Sequence, residues 1–387
     1  MRIAYVTETW PPEVNGVALT VARTVAYLRA HGHEVEVVRP AQAGESRGAG
    51  DGDWRTAGWP IPVYPDMRFG VSLPSALARR FGQVGADLVH VATEGPLGRA
   101  AIAAAQRLGL PTTSDFRTRF HAYSGYYGIG FLRAAIEGYL RRFHNATDRS
   151  FVPTERLRIE LTDAGFERLE VIGRGVDLKQ FSPAHRDPAL RRAWGADDGA
   201  PVLLHVGRIA AEKQVDLALR AFRCARHFAP RARMVVVGDG PRRHALERAY
   251  PEVQFTGTQS GAPLAASYAS ADLFLFPSES ETFGNVTMEA LASGLPVIAF
   301  DSGAAAEHVR DRVCGRLVGA GDHDDFVRAT CLLTTLMAGT HGREMARAAR
   351  RAVADEGWES SLRQFERHLL ETVEDAARTR FAHARAA

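Results

Sequence analysis

Short apolar runs alternate with stretches of helical spacing along most of the chain, which is typical of a β/α protein. The first apolar run covers 2–8, and apolar side chains then recur at helical spacing over 17–29. In the first half the same pattern predicts strands at 34–38, 87–91, 111–116, 150–152 and 169–172, and helices at 97–108, 131–143 and 154–164. The segment 41–58 is rich in Gly, Asp and Arg, which predicts a mobile loop.

The alternation restarts in the second half, after a join that we expect near 174–177. The pattern there predicts strands at 201–206, 233–237, 253–255, 271–276 and 296–300, and helices at 215–227, 241–250, 322–337, 342–354 and 359–378. Two β/α runs, each long enough to fold alone, predict two parallel-sheet α/β domains.

Composition narrows the class of protein. The chain has 387 residues, 24% charged residues and a net charge of +3, typical of a soluble globular protein without a nucleic-acid partner. No apolar run is long enough to span a membrane, and we expect MRIAYVTETW to form a first strand rather than a signal peptide. Cys224, Cys314 and Cys331 lack metal-site spacing, which favours a reducing cytoplasm. Of 48 basic residues only Lys179 and Lys213 are lysine.

Glycine-containing turns lie next to predicted strands and helices, where parallel sheets bind their ligands. They are Asn15-Gly16-Val17, Gly207-Arg208 and Gly238-Asp239-Gly240-Pro241. The last turn is not a dinucleotide fingerprint, because position 243 is arginine, and the chain has no GxxxxGK[ST] loop. The common NAD and P-loop sites are therefore excluded.

Two cations flank the turn after strand 201–206. Arg208 and Lys213 are five positions apart, across a strand end and a helix start. This spacing lets both approach one anion, and a diphosphate needs two positive partners when no metal is present. The alternative is a surface arginine and a solvated lysine.

The segment SESETFGNVTMEALASG, residues 278–294, carries Glu281 and Glu289 on either side of a glycine turn. A helix that starts at Gly284 or Asn285 would present free backbone N–H groups to a phosphate. On its second turn, Glu289 could bind the vicinal hydroxyls of a ribose. The alternative, an acid at a helix start and an exposed helical glutamate, leaves the glycine and the rare asparagine unexplained.

Taken together, these segments resemble retaining glycosyltransferases of family 4, near the bacterial mannosyl- and glycolipid glycosyltransferases. The resemblance covers nearly the whole chain. The matching motifs are Asn15-Gly16-Val17, Gly175-Val176-Asp177…Phe181-x-Pro183, Gly207-Arg208…Glu212-Lys213, Gly238-Asp239-Gly240-Pro241, and Glu281-x7-Glu289 followed by Ala-x-Ala-Ser-Gly-Leu-Pro-Val.

This resemblance implies the GT-B fold, in which two Rossmann-like parallel-sheet domains face each other across an inter-domain cleft. Residues 1–174 would form the acceptor-binding domain and 175–356 the nucleotide-sugar-binding domain. Residues 357–387 would form a C-terminal helix that packs back toward the first domain.

The resemblance also implies a role for each motif residue. Arg208 and Lys213 would bind the diphosphate and Glu289 the ribose, while Glu281 would face the donor sugar and phosphate as a catalytic residue. Gly16 would let the first domain close over the phosphates. The remaining expected donor-binding residues are Gly238, Phe283, Gly284 and Asn285.

The first half departs from the family at one position. Relatives often carry His-Thr or His-Asp after the strand that matches 111–116, but this chain has Arg117-Thr118. An arginine cannot act as a general base. The resemblance implies that the leaving phosphate takes the acceptor proton, so Arg117 could stabilise charge on that phosphate. His121 is the other candidate, or else a loop histidine packed among tyrosines.

We expect neither a metal nor another cofactor. Asp51-Gly52-Asp53 lies in the predicted loop, and Asp322-His323-Asp324 lies at a helix start, where acids cap N–H groups. Neither sequence ends a strand near the expected cleft.

The sequence thus predicts a cytoplasmic, retaining hexosyltransferase with a nucleotide-sugar donor and a lipid or glycan acceptor. GDP-mannose is slightly favoured because 114–128 resembles mannosyltransferases, and a UDP-hexose stays open. A GT-B epimerase, a phosphorylase and a non-catalytic nucleotide-sugar-binding protein are the alternatives.

The helix predicted at 131–143 sets an apolar stripe beside Arg133, Arg141 and Arg142. This pattern predicts that the helix makes peripheral contact with the inner face of an anionic membrane. The alternative is a surface helix whose stripe packs on its own sheet.

Overall fold

The computed structural model describes residues 1–13, 16–50, 52–61, 64–117, 133–197, 199–279 and 281–386. The chain divides into two compact units. The first holds the described residues up to Gly173 together with those from Ser361 onward, and the second holds those from Arg174 to Ser360.

The first unit is a sheet with helices packed on it. Its strands are β1 Arg2–Val6, β2 Glu34–Pro40, β3 Gly48–Ala49, β4 Asp53–Ile61, β5 Tyr64–Val71, β6 Leu88–Val91, β7 Thr112–Asp115, β8 Arg149–Val152 and β9 Leu169–Val171. Its helices are α1 Gly16–Ala30, α2 Pro74–Val84, α3 Pro96–Leu108, α4 Arg133–His144 and α5 Glu155–Asp163. The strand order is β3-β4-β2-β1-β6-β7-β8-β9, with β5 paired to β4.

The segment 41–58 was predicted as a mobile loop, and this prediction is wrong for 48–49 and 53–58, which are strand. It contains β3 and the start of β4, which runs parallel to β2 and pairs Val37 with Asp53. The reason is charge compensation. The buried Arg39 guanidinium forms ion pairs with Glu45 at 2.6 Å and with Asp53 at 2.7 Å. Charged residues that suggested a loop therefore neutralise each other at the sheet.

The apolar stripe of α4 is used within the first unit. Leu140 and Phe143 are only 2% and 5% exposed, and Leu140 packs in a cluster with Phe116 and Phe166. The prediction that this stripe meets a membrane is therefore wrong for Leu140 and Phe143, because these two side chains already fill the space over their own sheet. Arg141 and Arg142 remain exposed.

The long last helix, α14, runs from Trp358 to Ala386. Phe365 and Leu369 are buried in one cluster with Ile3 and Tyr5 of β1. The end of the chain thus completes the core of the first unit. No helix among the described residues is both long and apolar enough to cross a bilayer.

The second unit is an entirely parallel sheet. Its strands are β10 Val202–Val206, β11 Arg233–Val237, β12 Gln254–Gly257, β13 Leu273–Phe276, β14 Val297–Phe300 and β15 Gly315–Val318. Its helices are α6 Pro188–Ala193, α7 Val215–Ala225, α8 Arg243–Ala249, α9 Gly261–Ser270, α10 Asn285–Ala292, α11 Gly303–His308, α12 His323–Leu336 and α13 Thr340–Ala352.

The strand order of this sheet is β12-β11-β10-β13-β14-β15. Along the chain, β11 and β12 are added on one side of β10, and β13, β14 and β15 are then added on its other side. All residues of β10, β13 and β14 are buried, as expected for strands covered on both faces. The reversal between β10 and β13 is the point at which open parallel sheets bind ligands beyond their carboxyl ends.

Candidate active site

The predicted donor residues of the second unit lie in the loops that follow β10, β11 and β13, and in the first two turns of α10, the helix after β13. Those loops leave the carboxyl ends of adjacent strands, so the parallel sheet itself gathers distant parts of the sequence. Gly207 and Arg208 follow β10, a short 3₁₀ turn at Ala211–Lys213 comes next, and the loop after β13 leads into α10.

Lys213 and Glu281 form an ion pair although they are 68 positions apart. Their side chains are only 16% and 13% exposed. The Ser278 hydroxyl donates to the same oxygen of Glu281 at 3.0 Å. The Lys213 ammonium also lies 5.9 Å from the centre of the Phe276 ring. The ion pair therefore ties the turn after β10 to the loop after β13.

This environment keeps Glu281 ionised. Burial by itself favours the protonated carboxyl, but the charge of Lys213 and the hydrogen bonds from Lys213 and Ser278 outweigh burial and lower the pKa of Glu281. The Arg174 charge acts in the same direction. An ionised carboxylate can only accept hydrogen bonds, so Glu281 can orient the lysine and accept from sugar hydroxyls.

Arg208 lies on the same loop as Lys213. One of its terminal nitrogens is 3.7 Å from a carboxylate oxygen of Glu212, which is buried, while the Arg208 side chain is 40% exposed. The buried acid lies beside one end of the guanidinium, and 40% exposure leaves the rest of that group accessible to a ligand.

The start of α10 presents backbone donors at the same edge of the sheet. Gly284 is the N-cap residue with φ +91°, and among the described residues no side chain caps this helix. A residue with a Cβ would be strained at this φ. Uncapped N–H groups at a helix start bind anions. Asn285 Oδ1 lies 3.5 Å from Arg174, which also lies over the Phe283 ring.

Glu289 forms a hydrogen bond with a buried tyrosine. The Tyr268 hydroxyl on α9 donates to Glu289 Oε2 at 2.8 Å. Tyr268 is fully buried, and burial together with the Glu289 charge raises its pKa well above the usual value, so it remains a donor. Glu289 itself is half-buried on the second turn of α10.

Gly238 shapes the loop that carries Arg208. Its φ is +139°, and a Cβ there would overlap the carbonyl oxygen of Gly207. The Ile209 amide donates to the Asp239 carbonyl at 2.8 Å, which joins the same two loops. The described contacts of Gly238 are thus with protein backbone, next to the expected phosphate partners.

Of the predicted site residues that the structure describes, two belong to the first unit. Gly16 is the first residue of α1, and its carbonyl accepts from the Thr20 hydroxyl at 2.7 Å. Arg117 follows β7 and forms a two-donor ion pair with Asp115, which also lies 3.2 Å from His90 Nε2.

The Asp115 carboxyl is buried, which alone would raise its pKa, but the Arg117 charge and the interactions with His90 lower that pKa to about 2. Arg117 is therefore a fixed cation in the first unit. His121, the alternative candidate, lies outside the described residues.

The sequence interpretation did not single out His205, Tyr268 or Arg174. His205 is the last residue but one of β10, where Nδ1 is 3.0 Å from the Leu275 carbonyl and Nε2 has no partner among the described residues. Burial, reinforced by the Lys213 charge, lowers its pKa to about 4, so the ring is neutral at pH 7. The only sequence signal was a histidine inside the apolar run VLLHV.

Among the described residues no three His, Cys, Asp or Glu side chains come together as metal ligands would. The prediction that Asp322 caps a helix is confirmed, since its carboxylate accepts from the Asp325 amide at the start of α12. Asp53 pairs with Arg39 and Arg55, and Asp51 lies outside the described residues.

Comparison with known proteins identifies the family. The family model for "Glycosyltransferase Family 4" matches residues 14–180, and the model for "Glycosyl transferases group 1" matches residues 200–335. A GDP-mannose-dependent alpha-mannosyltransferase of Mycobacterium tuberculosis is 36% identical over 92% of this chain and 93% of its own. An alpha-monoglucosyldiacylglycerol synthase of Streptococcus pneumoniae is 31% identical over 84% of this chain and 76% of its own.

Solved structures agree on the fold. Sucrose-phosphate synthase from Thermosynechococcus elongatus superposes with a TM-score of 0.80 at 19% identity, covering 96% of this chain and 98% of its own. HepE of Anabaena, solved with UDP, gives 0.72 at 18% identity, covering 96% of this chain and all of its own. The two α/β units, the family models and these relatives together show that the chain belongs to glycosyltransferase family 4, has the GT-B fold and is a glycosyltransferase.

Proposed function

We propose that this glycosyltransferase is a retaining, metal-independent hexosyltransferase that transfers mannose from GDP-mannose to a lipid or glycan acceptor. The observation that carries the proposal is the Lys213–Glu281 ion pair beside the uncapped start of α10, at the reversal point of the second sheet. This arrangement offers fixed positive charge to a diphosphate and a fixed carboxylate to the adjoining sugar.

The diphosphate would lie between the two cations and the start of α10. Arg208 and Lys213 supply the charge that a metal ion supplies elsewhere, and the helix adds backbone N–H donors. Neither cation needs to move far from its acid, because Glu212 and Glu281 hold the two side chains in place. Fixed cations at the leaving diphosphate stabilise the charge that develops as the sugar–phosphate bond breaks.

The nucleoside would extend from the diphosphate toward Glu289. The Tyr268 hydroxyl occupies one carboxylate oxygen, Oε2, which orients the half-buried carboxylate. A charged acceptor suits the two vicinal hydroxyls of a ribose, which are both donors.

In the transfer, the bond between the anomeric carbon and the phosphate oxygen breaks and the acceptor hydroxyl bonds to the same face of that carbon. The acceptor proton goes to the leaving phosphate, so no histidine base is required. Glu281 would hold both Lys213 and a sugar hydroxyl. Arg117 would stabilise negative charge on the leaving phosphate, in addition to its ion pair with Asp115.

GDP-mannose is favoured as donor because relatives at 36% and 37% identity over 92% of the chain carry the name GDP-mannose-dependent alpha-mannosyltransferase. GDP-mannose carries its mannose in α linkage, so an α-linked product means that the configuration is retained. The alpha-monoglucosyldiacylglycerol synthases among the relatives support a lipid acceptor.

The proposal also places the enzyme in the cytoplasm, in electrostatic contact with an anionic membrane surface. Since the apolar stripe of α4 is buried, the contact would rest on exposed charges such as Arg141 and Arg142.

A thermal-shift screen against GDP, UDP, ADP and their sugars tests the donor, because a ligand that binds only the native state raises its unfolding midpoint. Incubation of the best donor with a membrane lipid extract should release the nucleoside diphosphate, and NMR of the product should show an α-glycosidic bond. A larger shift with UDP-hexoses than with GDP-mannose would overturn the donor assignment. A β-linked product would overturn retention.

A further inference from the structure

A cavity of about 700 Å³ lies at the amino-terminal edge of the second sheet. Its wall includes Pro201 and Asp272, which immediately precede β10 and β13, and Leu295, which precedes β14. The proposed donor site lies at the carboxyl ends of the same strands. The cavity therefore cannot be part of that site.

The cavity is strongly basic. Six arginines line it against a single acid, Asp272. The arginines are Arg186, Arg191, Arg343, Arg347, Arg350 and Arg351. Asp272 pairs with Arg186 at 2.7 Å and Arg191 at 2.9 Å. The other four arginines form no ion pair within the described part of the chain.

Three of these arginines form a stripe along α13. Arg343, Arg347 and Arg351 recur every fourth residue, so they share one helix face, and all three are exposed. Like charges at this spacing destabilise a helix by a few tenths of a kcal/mol per pair. A bound anion would remove this repulsion.

Arg350 adds a further positive charge to the lining of the cavity. Its guanidinium donates to the carbonyls of Ala292 at 2.7 Å, Phe181 at 2.9 Å and Leu178 at 3.1 Å. The bond to Ala292 caps the carboxyl end of α10, and all three hydrogen-bond acceptors of Arg350 are backbone carbonyls. Beside it, Ser293 is 3% exposed and its hydroxyl has no hydrogen-bond partner among the described residues. A buried polar group without a partner indicates a missing ligand or solvent contact.

We propose that this cavity binds a phosphate-bearing small molecule through Arg343, Arg347 and Arg351. Guanidinium groups bind phosphate oxygens in pairs of parallel hydrogen bonds, and the arginine stripe presents several such groups on one wall. The volume lies in the range of about 300–1,000 Å³ that is usual for small-molecule sites. The ligand is distinct from the sugar donor, because the two sites open at opposite edges of the sheet.

Calorimetric titration with inorganic pyrophosphate tests this site. To remove the proposed donor-diphosphate partners, the titration uses the full chain carrying Arg208→Ala and Lys213→Ala. Adding Arg347→Glu and Arg351→Glu should weaken pyrophosphate binding at least tenfold. Arg220→Glu with Arg248→Glu is the matched control, because both residues are exposed in the same unit, change the net charge equally and do not line the cavity. The control should stay within twofold.

Absence of pyrophosphate binding, or equal losses in the test and control variants, would overturn the proposal. Arg347→Gln with Arg351→Gln repeats the test with a smaller change in charge, and circular dichroism checks the fold of each variant. Sedimentation with phosphatidylglycerol vesicles distinguishes a lipid phosphate. If the Arg347 and Arg351 substitutions reduce vesicle binding but pyrophosphate does not bind, the proposal of a small-molecule site is wrong. Since the donor partners are absent throughout, the result is independent of the proposed function.

Discussion

The ammonium of Lys213 and the carboxylate of Glu281 form an ion pair that joins the turn after β10 to the loop after β13. Both side chains are mostly buried, so removing either one leaves the other without its principal partner. Such a loss is more harmful than replacing the whole pair. The contact brings residues 68 positions apart to the place where we propose that the donor binds, and it affects how variants at this site should be interpreted.

Arg208→Ala and Lys213→Ala should each weaken binding of a nucleoside diphosphate far more than binding of the nucleoside. A hydrogen bond to a charged group contributes about 1.5–3 kcal/mol, so we expect roughly a tenfold loss or more for the diphosphate. Calorimetry with both ligands measures the difference. Glu281→Gln serves as the control for loss of the ion pair alone. Equal losses for diphosphate and nucleoside would rule out diphosphate recognition.

Glu289→Ala should weaken nucleoside diphosphate binding by about 1.5–3 kcal/mol, because the ribose hydroxyls lose a charged acceptor. The same variant should bind ribo- and 2′-deoxyribonucleotides equally, whereas the parent protein should prefer the ribonucleotide. Tyr268→Phe keeps the carboxylate but removes the hydrogen bond that orients it, so a smaller loss is expected. Unchanged affinity of Glu289→Ala in calorimetry would show that the ribose assignment is wrong.

Turnover should survive excess EDTA. The proposed diphosphate partners are two cations and a helix start, so charge neutralisation does not depend on a divalent ion. Nucleoside diphosphate release is measured with and without chelator, and a manganese-dependent glycosyltransferase serves as the positive control. Complete loss that manganese or magnesium restores would contradict metal independence.

His205 should make stability depend on pH between about 4 and 6.5. Its folded pKa is lowered to about 4, so the unfolded state binds the proton more readily in this window. The stabilisation that the neutral ring provides is fully present above about pH 6.5, which is the pKa of histidine in the unfolded chain. The free energy of unfolding then decreases by about 3 kcal/mol as the pH falls to about 4. Urea unfolding at several pH values measures this slope.

His205→Gln should flatten that slope. His244→Gln is the matched control, because the His244 side chain is 91% exposed, and it should leave the slope as in the parent protein. An unchanged slope in His205→Gln would mean that the buried ring does not control acid stability.

Leu140→Ala should lower the free energy of unfolding by about 2–5 kcal/mol, the usual range for a buried leucine. Leu140 is 2% exposed in the core under α4, whereas Ile159 on α5 is 51% exposed. Ile159→Ala should therefore have a much smaller effect. Equal and small effects in urea unfolding would mean that the stripe of α4 is not packed, and would reopen a membrane role for it.

Sequence patterning predicted the central strands closely. The strand predicted at 233–237 is β11, and the strand predicted at 201–206 differs from β10 by one residue. Runs of Val, Leu and Ile bounded by Gly or Pro leave few alternatives for buried parallel strands. The hairpin of β4 and β5 was missed because its first strand begins among Gly, Asp and Arg residues, and the pairing of Arg39 with Asp53 cannot be read from neighbours in sequence.

By itself, the sequence determined the parallel α/β class, the family motifs and the order of the candidate residues, because local spacing and turn chemistry are written in adjacent positions. Tertiary structure alone decided that Lys213 meets Glu281, that Tyr268 holds Glu289 and that His205 is a buried neutral ring. It also decided that the stripe of α4 faces its own core. These relationships depend on which strands are neighbours in a sheet and on what covers each face, and both are set by long-range packing.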